Sequence, residues 1–206
     1  MAVSATEGRP GWMQPPGSQP VPALPAASVL VIRDRGRGLE VLMQTRASHL
    51  AFAGGLLVFP GGGVDPTDGP GLIGYRRAAA RELFEETGLL LARKGRRPLS
   101  EPDRLRLARR YRARLHDNAL VWRSMLRREH LRESAGSGLT DLASFAHWIT
   151  PEPVPKRFDT RFFLVRAPGD QRASPDGQEA VALSWVQPRA LLTAWEREEA
   201  WLMFPT

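Results

Sequence analysis

Arg81-Glu82-Leu83-Phe84-Glu85-Glu86-Thr87-Gly88 is the stretch on which the reading of this chain turns. On a helix Glu82 lies three and four residues from Glu85 and Glu86, so three carboxylates share one face. Like charges so placed repel, each pair destabilising an isolated helix by about 0.2–0.5 kcal/mol. Such a helix calls for a compensating cation. Oxygen ligands with no Cys and no His pair indicate a hard divalent ion, Mg2+ or Mn2+. Arg81, four residues before Glu85, is placed to clamp one of the carboxylates. The competing reading is an exposed acidic helix face.

The surroundings favour a site. Apolar spacing through Ala78, Ala79, Ala80, Leu83 and Phe84 predicts a helix over Gly74–Leu91, with Gly88 near its end as a cap. Upstream, Leu56–Phe59 reads as a short strand ended by Pro60 and the glycines 61–63. A strand thus delivers a glycine turn beside the acidic face, and the N–H groups of Gly61 and Gly62 are candidate receivers of phosphate oxygens. Earlier still, Ser28–Arg33 and Leu39–Thr45 form a strand–turn–strand pattern across Asp34–Gly38.

Downstream, 101–132 reads as one or two Arg-rich amphipathic helices with Leu105, Leu107, Ala108, Tyr111 and Leu115 as the buried side. A short helix over Asp141–Trp148, strands over Arg161–Arg166 and Ala180–Val186, and a closing helix over Pro188–Ala200 complete the pattern. Strands before, between and after helices mean a mixed α/β domain with a helical insertion.

Composition sets limits. The 206 residues suit one domain with trimmings. The absence of Cys excludes disulfides, zinc–thiolate sites and iron–sulfur clusters. No apolar run approaches the roughly 18–20 residues of a membrane span, and the start lacks a secretory pattern. A soluble, cytoplasmic protein is the expectation. Residues 1–27 hold six of the 18 prolines and read as a disordered arm ahead of a domain over 28–206. The apolar finish Leu202-Met203-Phe204-Pro205-Thr206 suggests truncation. Of the formal charge of +7, the stretch Arg93–Arg132 carries 14 Arg or Lys against four acids. That block either meets phosphates or is a solvated helix surface.

The loop, the helix and RELFEETGL resemble the Nudix box, whose second half runs Arg-Glu-apolar-any-Glu-Glu-any-Gly-apolar; Arg81–Leu89 matches all of it. The first half departs. The family's further Glu, eight residues before the Arg, is here Ile73, and the loop is longer, which leaves the number of metals open. Asp65 and Asp68 are extra candidate ligands in that loop. The resemblance implies a Nudix-type α/β/α sandwich with a mixed β-sheet and a helical insertion at about 95–148. It implies hydrolysis of a nucleoside diphosphate-linked substrate, with Glu82, Glu85 and Glu86 as metal ligands and Arg81 as their orienting partner. Glu82 and Glu179 are the candidate general bases, with Glu152 as a third; the alternative for Glu179 is a surface residue at a strand start.

A second resemblance concerns substrate. Leu42, Arg46, Ala47, Gly55 and Phe59-Pro60-Gly61-Gly62 fall in the register of the coenzyme A diphosphatase segment, with Gln44 for its Thr and Ala51 for its second Arg. The insertion, Ile149-Thr150-Pro151-Glu152 and Arg157–Phe163 are similar to a long-insert branch that includes acyl-coenzyme A diphosphatases. This implies cleavage of coenzyme A or its thioesters to 3′,5′-ADP and (acyl-)phosphopantetheine, with Arg46 at the phosphates. Phe52, Trp122 and Trp148 are candidates to stack on adenine or meet an acyl chain, against ordinary burial. Other nucleotide substrates, or a non-catalytic nucleotide- or RNA-binding module, are the alternatives. The expected partner is a small nucleotide diphosphate, not nucleic acid or membrane, with a homodimer left open.

Overall fold

A computed structural model describes residues 15, 17–36, 38–49, 54–95, 97–133, 142–169 and 171–206. Strands β1 (Leu24–Asp34), β2 (Leu39–Arg46), β3 (Leu57–Val58) and β4 (Gly61–Gly63) precede helix α1 (Gly71–Thr87). Short strands β5 (Ala92–Lys94) and β6 (Arg97–Pro98), helices α2 (Glu101–Asp117) and α3 (Leu120–Arg128), and strand β7 (Leu131–Glu133) follow. Strands β8 (Ala143–Ile149), β9 (Phe158–Arg166) and β10 (Ala180–Val186) and helix α4 (Pro188–Glu196) complete the chain.

The main sheet runs β10-β2-β1-β9-β8, with β3 paired to β2 and β4 to β1. β1 and β9 are parallel while the other pairs are antiparallel, so the sheet is mixed. This is the expected α/β architecture. Helix α1 lies against β1 and β4, burying Ala78, Ala79, Ala80, Leu83 and Phe84. Gly88 closes the helix at φ 71°, its N–H returning to the Phe84 carbonyl. That conformation favours glycine, as the sequence position suggested.

Between α1 and β8 the chain builds its insertion: a small β6-β5-β7 sheet and the α2–α3 pair. Leu107, Tyr111 and Leu115 of α2 and Trp122 of α3 enter the core, and the Trp122 ring packs against Phe84 at 6.1 Å.

Several expectations need correction. The first strand begins at Leu24, not Ser28, because Leu24–Ala27 pair with β9. A short strand does end ahead of Pro60, but the glycines 61–63 form β4 and not a turn, pairing with Ala26–Ser28. Ala143–Ile149 is a strand, not a helix: the edge of β9 offers a full ladder to a segment whose Phe145, Trp148 and Ile149 suit a pleated surface. Leu105 is 38% exposed, since the buried stripe of α2 passes through Leu107, Tyr111 and Leu115 instead. Ala51 and Phe52 lie outside the described residues.

Candidate active site

The carboxylates of α1 meet the sheet where β2 and β4 end. On β2, Leu42, Gln44 and Arg46 alternate onto one face, as strand geometry requires. Gln44, fully buried, donates from Nε2 to Glu86 Oε1 at 2.8 Å. The Gly61 N–H donates to Glu86 Oε2 at 2.7 Å. Arg46 Nη1 stands 4.0 Å from Glu86 Oε1. Gly61 leaves no room for a side chain, since a Cβ there would overlap the Ala27 carbonyl and the Ser28 backbone. At Gly62 a Cβ would lie 2.6 Å from the Glu82 carboxyl carbon, so this glycine makes the space the carboxylate occupies. The two glycines therefore shape the carboxylate pocket, and the Gly61 N–H expected to face a phosphate is occupied by Glu86.

Arg81 is 4% exposed and holds three acids at once. Its Nε and Nη2 donate to Asp68 at 3.3 and 2.9 Å, Nη2 also to the Gly63 carbonyl at 2.9 Å, and Nη1 to Glu82 Oε1 at 2.7 Å. Glu85 Oε2 is 3.8 Å from the same Nη1. Burial opposes the charge on Arg81, but Glu82 and Asp68 outweigh it and hold its pKa above the ordinary value. Asp65 and Asp68, candidate metal ligands in the sequence, are otherwise engaged: both form the capping box of the 3-10 turn Pro66–Asp68, and Asp68 is the buried partner of Arg81. Ile73 is 46% exposed on α1. The acid that pairs with Arg81 from outside α1 is Asp68 of the preceding loop, a contact that spacing alone conceals.

Glu179 completes the group. A bulge between Ala180 and Ala182 re-aims the start of β10, and Asp176 accepts from the N–H groups of Glu179 and Ala180 at 3.1 and 2.8 Å. Glu179 Oε2 then lies 3.4 Å from Arg46 Nη2. His116 of α2 stands between two acids, its Nδ1 3.4 Å from Glu85 Oε1 and 3.9 Å from Glu179 Oε1. Four carboxylates, the guanidinium groups of Arg46 and Arg81 and the His116 imidazole therefore meet in one group. His116 was not singled out by the sequence; its signal is a histidine on the insertion helix one turn beyond Arg112.

The insertion also finishes α1. Arg104, 1% exposed and paired with Glu101 at 2.7 Å, donates to the Gly88 carbonyl at 2.9 Å, and Arg112 Nε donates to the Glu85 carbonyl at 3.0 Å. Cations at the negative end of a helix stabilise it. Part of the basic block is thus internal capping and not solvated surface.

Burial strongly disfavours the charges on α1. Burial, with Glu82 beside it, pushes the Glu85 carboxyl up to about 8. Burial and then Glu82 also raise Glu86 well above the usual range, against the bonds from Gln44 and Gly61. Glu82 is raised by burial in spite of Arg81. Among the described residues no three His, Asp or Glu side chains stand in ready coordinating geometry for a metal ion. The donor set nevertheless fits a hard cation: the buried carboxylates of Glu85 and Glu86 and the half-buried one of Glu82, each oxygen with a further lone pair, and the buried Gln44 Oε1 without a hydrogen-bond partner beside them.

Other candidates fall elsewhere. Trp122 is buried and bonded to Glu133 at 3.1 Å, and Trp148 packs on Phe204 at 5.5 Å. Glu152 is exposed in the turn joining β8 to β9, with no contact to the group among the described residues. No helix among the described residues is long and apolar enough to cross a membrane.

Known proteins resemble this chain in both sequence and shape. The "NUDT19 Nudix domain" family model matches residues 69–206. The Caenorhabditis elegans protein "Putative nudix hydrolase 7" is 31% identical over 166 residues, covering 80% of this chain and 51% of the relative. The Homo sapiens protein "Acyl-coenzyme A diphosphatase NUDT19" is 26% identical over 254 residues, covering 95% of this chain and 63% of the relative. The chain thus spans between half and two thirds of the length of these two relatives. A crystal structure of a NUDIX hydrolase from Alicyclobacillus acidocaldarius superposes with a TM-score of 0.78 at 29% identity, covering 90% of this chain and 88% of that one. With the fold, the Arg81–Leu89 motif and a family model over more than half its length in agreement, this chain belongs to the Nudix hydrolase superfamily, within the NUDT19 Nudix domain family.

Proposed function

We propose that the protein hydrolyses the diphosphate bridge of a nucleoside diphosphate-linked substrate with Mg2+ or Mn2+, and that coenzyme A or an acyl-coenzyme A is that substrate, giving 3′,5′-ADP and (acyl-)phosphopantetheine. The observation that carries the reading is the largely buried trio Glu82, Glu85 and Glu86, held on one face of α1 with raised pKa values. A protein has little reason to bury three such groups together unless a cation offsets them. Those three residues would hold the metal, which supplies charge neutralisation at the diphosphate and acidifies a bound water.

The chain's own residues do the rest. Arg81, fixed by Asp68, positions Glu82 and Glu85. Arg46, at the open side of the group, is suited to a phosphate oxygen because a guanidinium fork fits such groups. Glu179 is favoured over Glu82 as general base: it is 35% exposed at the rim, whereas Glu82 is committed to Arg81. The human relative's printed name and the Arg46–Gly62 resemblance support the coenzyme A assignment. A panel of diphosphate substrates with each metal, resolved by product mass, tests it. Release of 3′,5′-ADP from coenzyme A is expected; turnover confined to nucleotide sugars or dinucleotides would replace the substrate, and no turnover in any case would remove the enzyme reading.

A further inference from the structure

On the far side of Glu85 from Arg81 a cavity of about 340 Å3 opens between α2 and the segment leading into β10. Its walls include Arg109, Arg112 and His116 from successive turns of α2, with Ser174 and Asp176 opposite and Glu85 at the back. The Arg112 guanidinium is held by three bonds, all to uncharged oxygens: the Glu85 carbonyl at 3.0 Å, Ser174 Oγ at 3.1 Å and the Ser174 carbonyl at 3.0 Å. Among the described residues it has no ion pair, and its fork keeps two N–H donors uncommitted. Arg109, one turn earlier and exposed, likewise has no ion pair among the described residues. The one other acid in the wall, Asp176, already accepts from two backbone N–H groups. The cavity thus presents two guanidinium groups without a close ion pair among the described residues, with Asp176 and Glu85 as the acids of its wall, and shares Glu85 with the carboxylate group.

We infer that this cavity is a second phosphate subsite, which takes a phosphomonoester that the substrate carries outside its scissile diphosphate, with Arg109 and Arg112 as donors. Two guanidinium groups, one held in place and one exposed on the next turn, suit a dianionic phosphate better than a single phosphodiester oxygen. Arg112 is preorganised by Ser174, and the insertion that delivers it becomes the element that reads the substrate. The inference rests on the diphosphatase reading for what lies next door, but its test does not depend on turnover.

The test is equilibrium binding of 3′,5′-ADP and of 5′-AMP to the full chain with Mg2+ present, by calorimetry. The parent is expected to bind 3′,5′-ADP at least about tenfold tighter, the scale of one charge-assisted hydrogen bond. Arg109→Ala and Arg112→Lys are each expected to cut that ratio severalfold. Arg35→Ala, in a separate arginine-lined cavity at the other end of the sheet, removes the same charge and is expected to leave the ratio intact. A parent ratio near one, or an equal loss in Arg35→Ala, overturns the subsite. If Arg112→Lys fails to fold for want of its helix cap, Arg109→Ala alone decides. A preserved ratio in a protein that hydrolyses nothing would sink the enzyme reading and leave the subsite standing.

Discussion

Glu179 and Arg46, 133 positions apart in the chain, lie 3.4 Å from each other across the β10–β2 ladder. Ala180 is the register partner of Arg46, and the bulge that follows lets the preceding glutamate turn toward the α1 carboxylates. Arg46 also stands 4.0 Å from Glu86, so a single guanidinium joins the buried and the half-exposed ends of the site. Arg46→Ala is expected to lower kcat/KM by about tenfold or more through loss of a charge-assisted phosphate contact. Steady-state kinetics on coenzyme A checks this, and an unchanged value would take Arg46 out of the phosphate site.

Glu86→Gln is expected to abolish Mg2+-dependent hydrolysis, a loss on the order of a hundredfold or more in kcat. The fold should survive, because the substituted side chain keeps an oxygen for the Gly61 N–H and removes a buried charge. Paired circular dichroism and product assays make the comparison; parental turnover would refute the metal-ligand role.

Asp68→Ala leaves the buried Arg81 without its two-bonded partner and is expected to destabilise the protein by about 3–5 kcal/mol, the usual cost of stranding one half of a buried ion pair. Urea unfolding measures it. A change below about 1 kcal/mol would mean that Glu82 and Glu85 suffice to hold the guanidinium.

Stability of the metal-free protein should depend on pH in a direction unusual for an acidic group. The Glu85 pKa is raised to about 8 in the folded state from an ordinary 4.5, and those of Glu82 and Glu86 are raised as well. Between those two values the folded chain binds more protons than the unfolded one, so stability is full below about pH 4.5 for these groups and is lost as pH rises toward 8. A fall in Tm on the order of 5 °C or more from pH 5 to pH 8 is expected without metal. Mg2+ or Mn2+ should raise Tm more at pH 8 than at pH 6, since the ligands bind metal ionised. A rising or flat metal-free profile over this window would contradict the buried charge cluster.

Gly62→Ala places a methyl group against the Glu82 carboxylate and is expected to lower activity by about tenfold or more, in keeping with the sensitivity of catalysis to misplacements near 1 Å. Thermal unfolding alongside kinetics separates displacement of Glu82 from general destabilisation.

Much of this was legible in the linear chain. The i, i+3, i+4 spacing of Glu82, Glu85 and Glu86, the cap at Gly88 and the strand at Ala180–Val186 follow from local periodicity, which needs no knowledge of distant neighbours. The Ala143–Ile149 strand was not legible, because its exposed edge position leaves little alternation to detect. Nor was the part played by Asp68: a carboxylate 13 residues before Arg81 shows no periodic relation to it, and only the loop's return over α1 brings them together.

The amino-acid sequence by itself determined the acidic face of one helix, the glycine cap at its end and the charge of the insertion, since each depends on residues near one another in the chain. Only the tertiary structure decided which side chains surround that face. Arg46, Arg81 and His116 come from a strand, the helix itself and the insertion, and their meeting with Glu179 depends on sheet register and helix packing. Those long-range contacts are set by burial of apolar surface, which is indifferent to chain separation and so leaves no mark in local spacing.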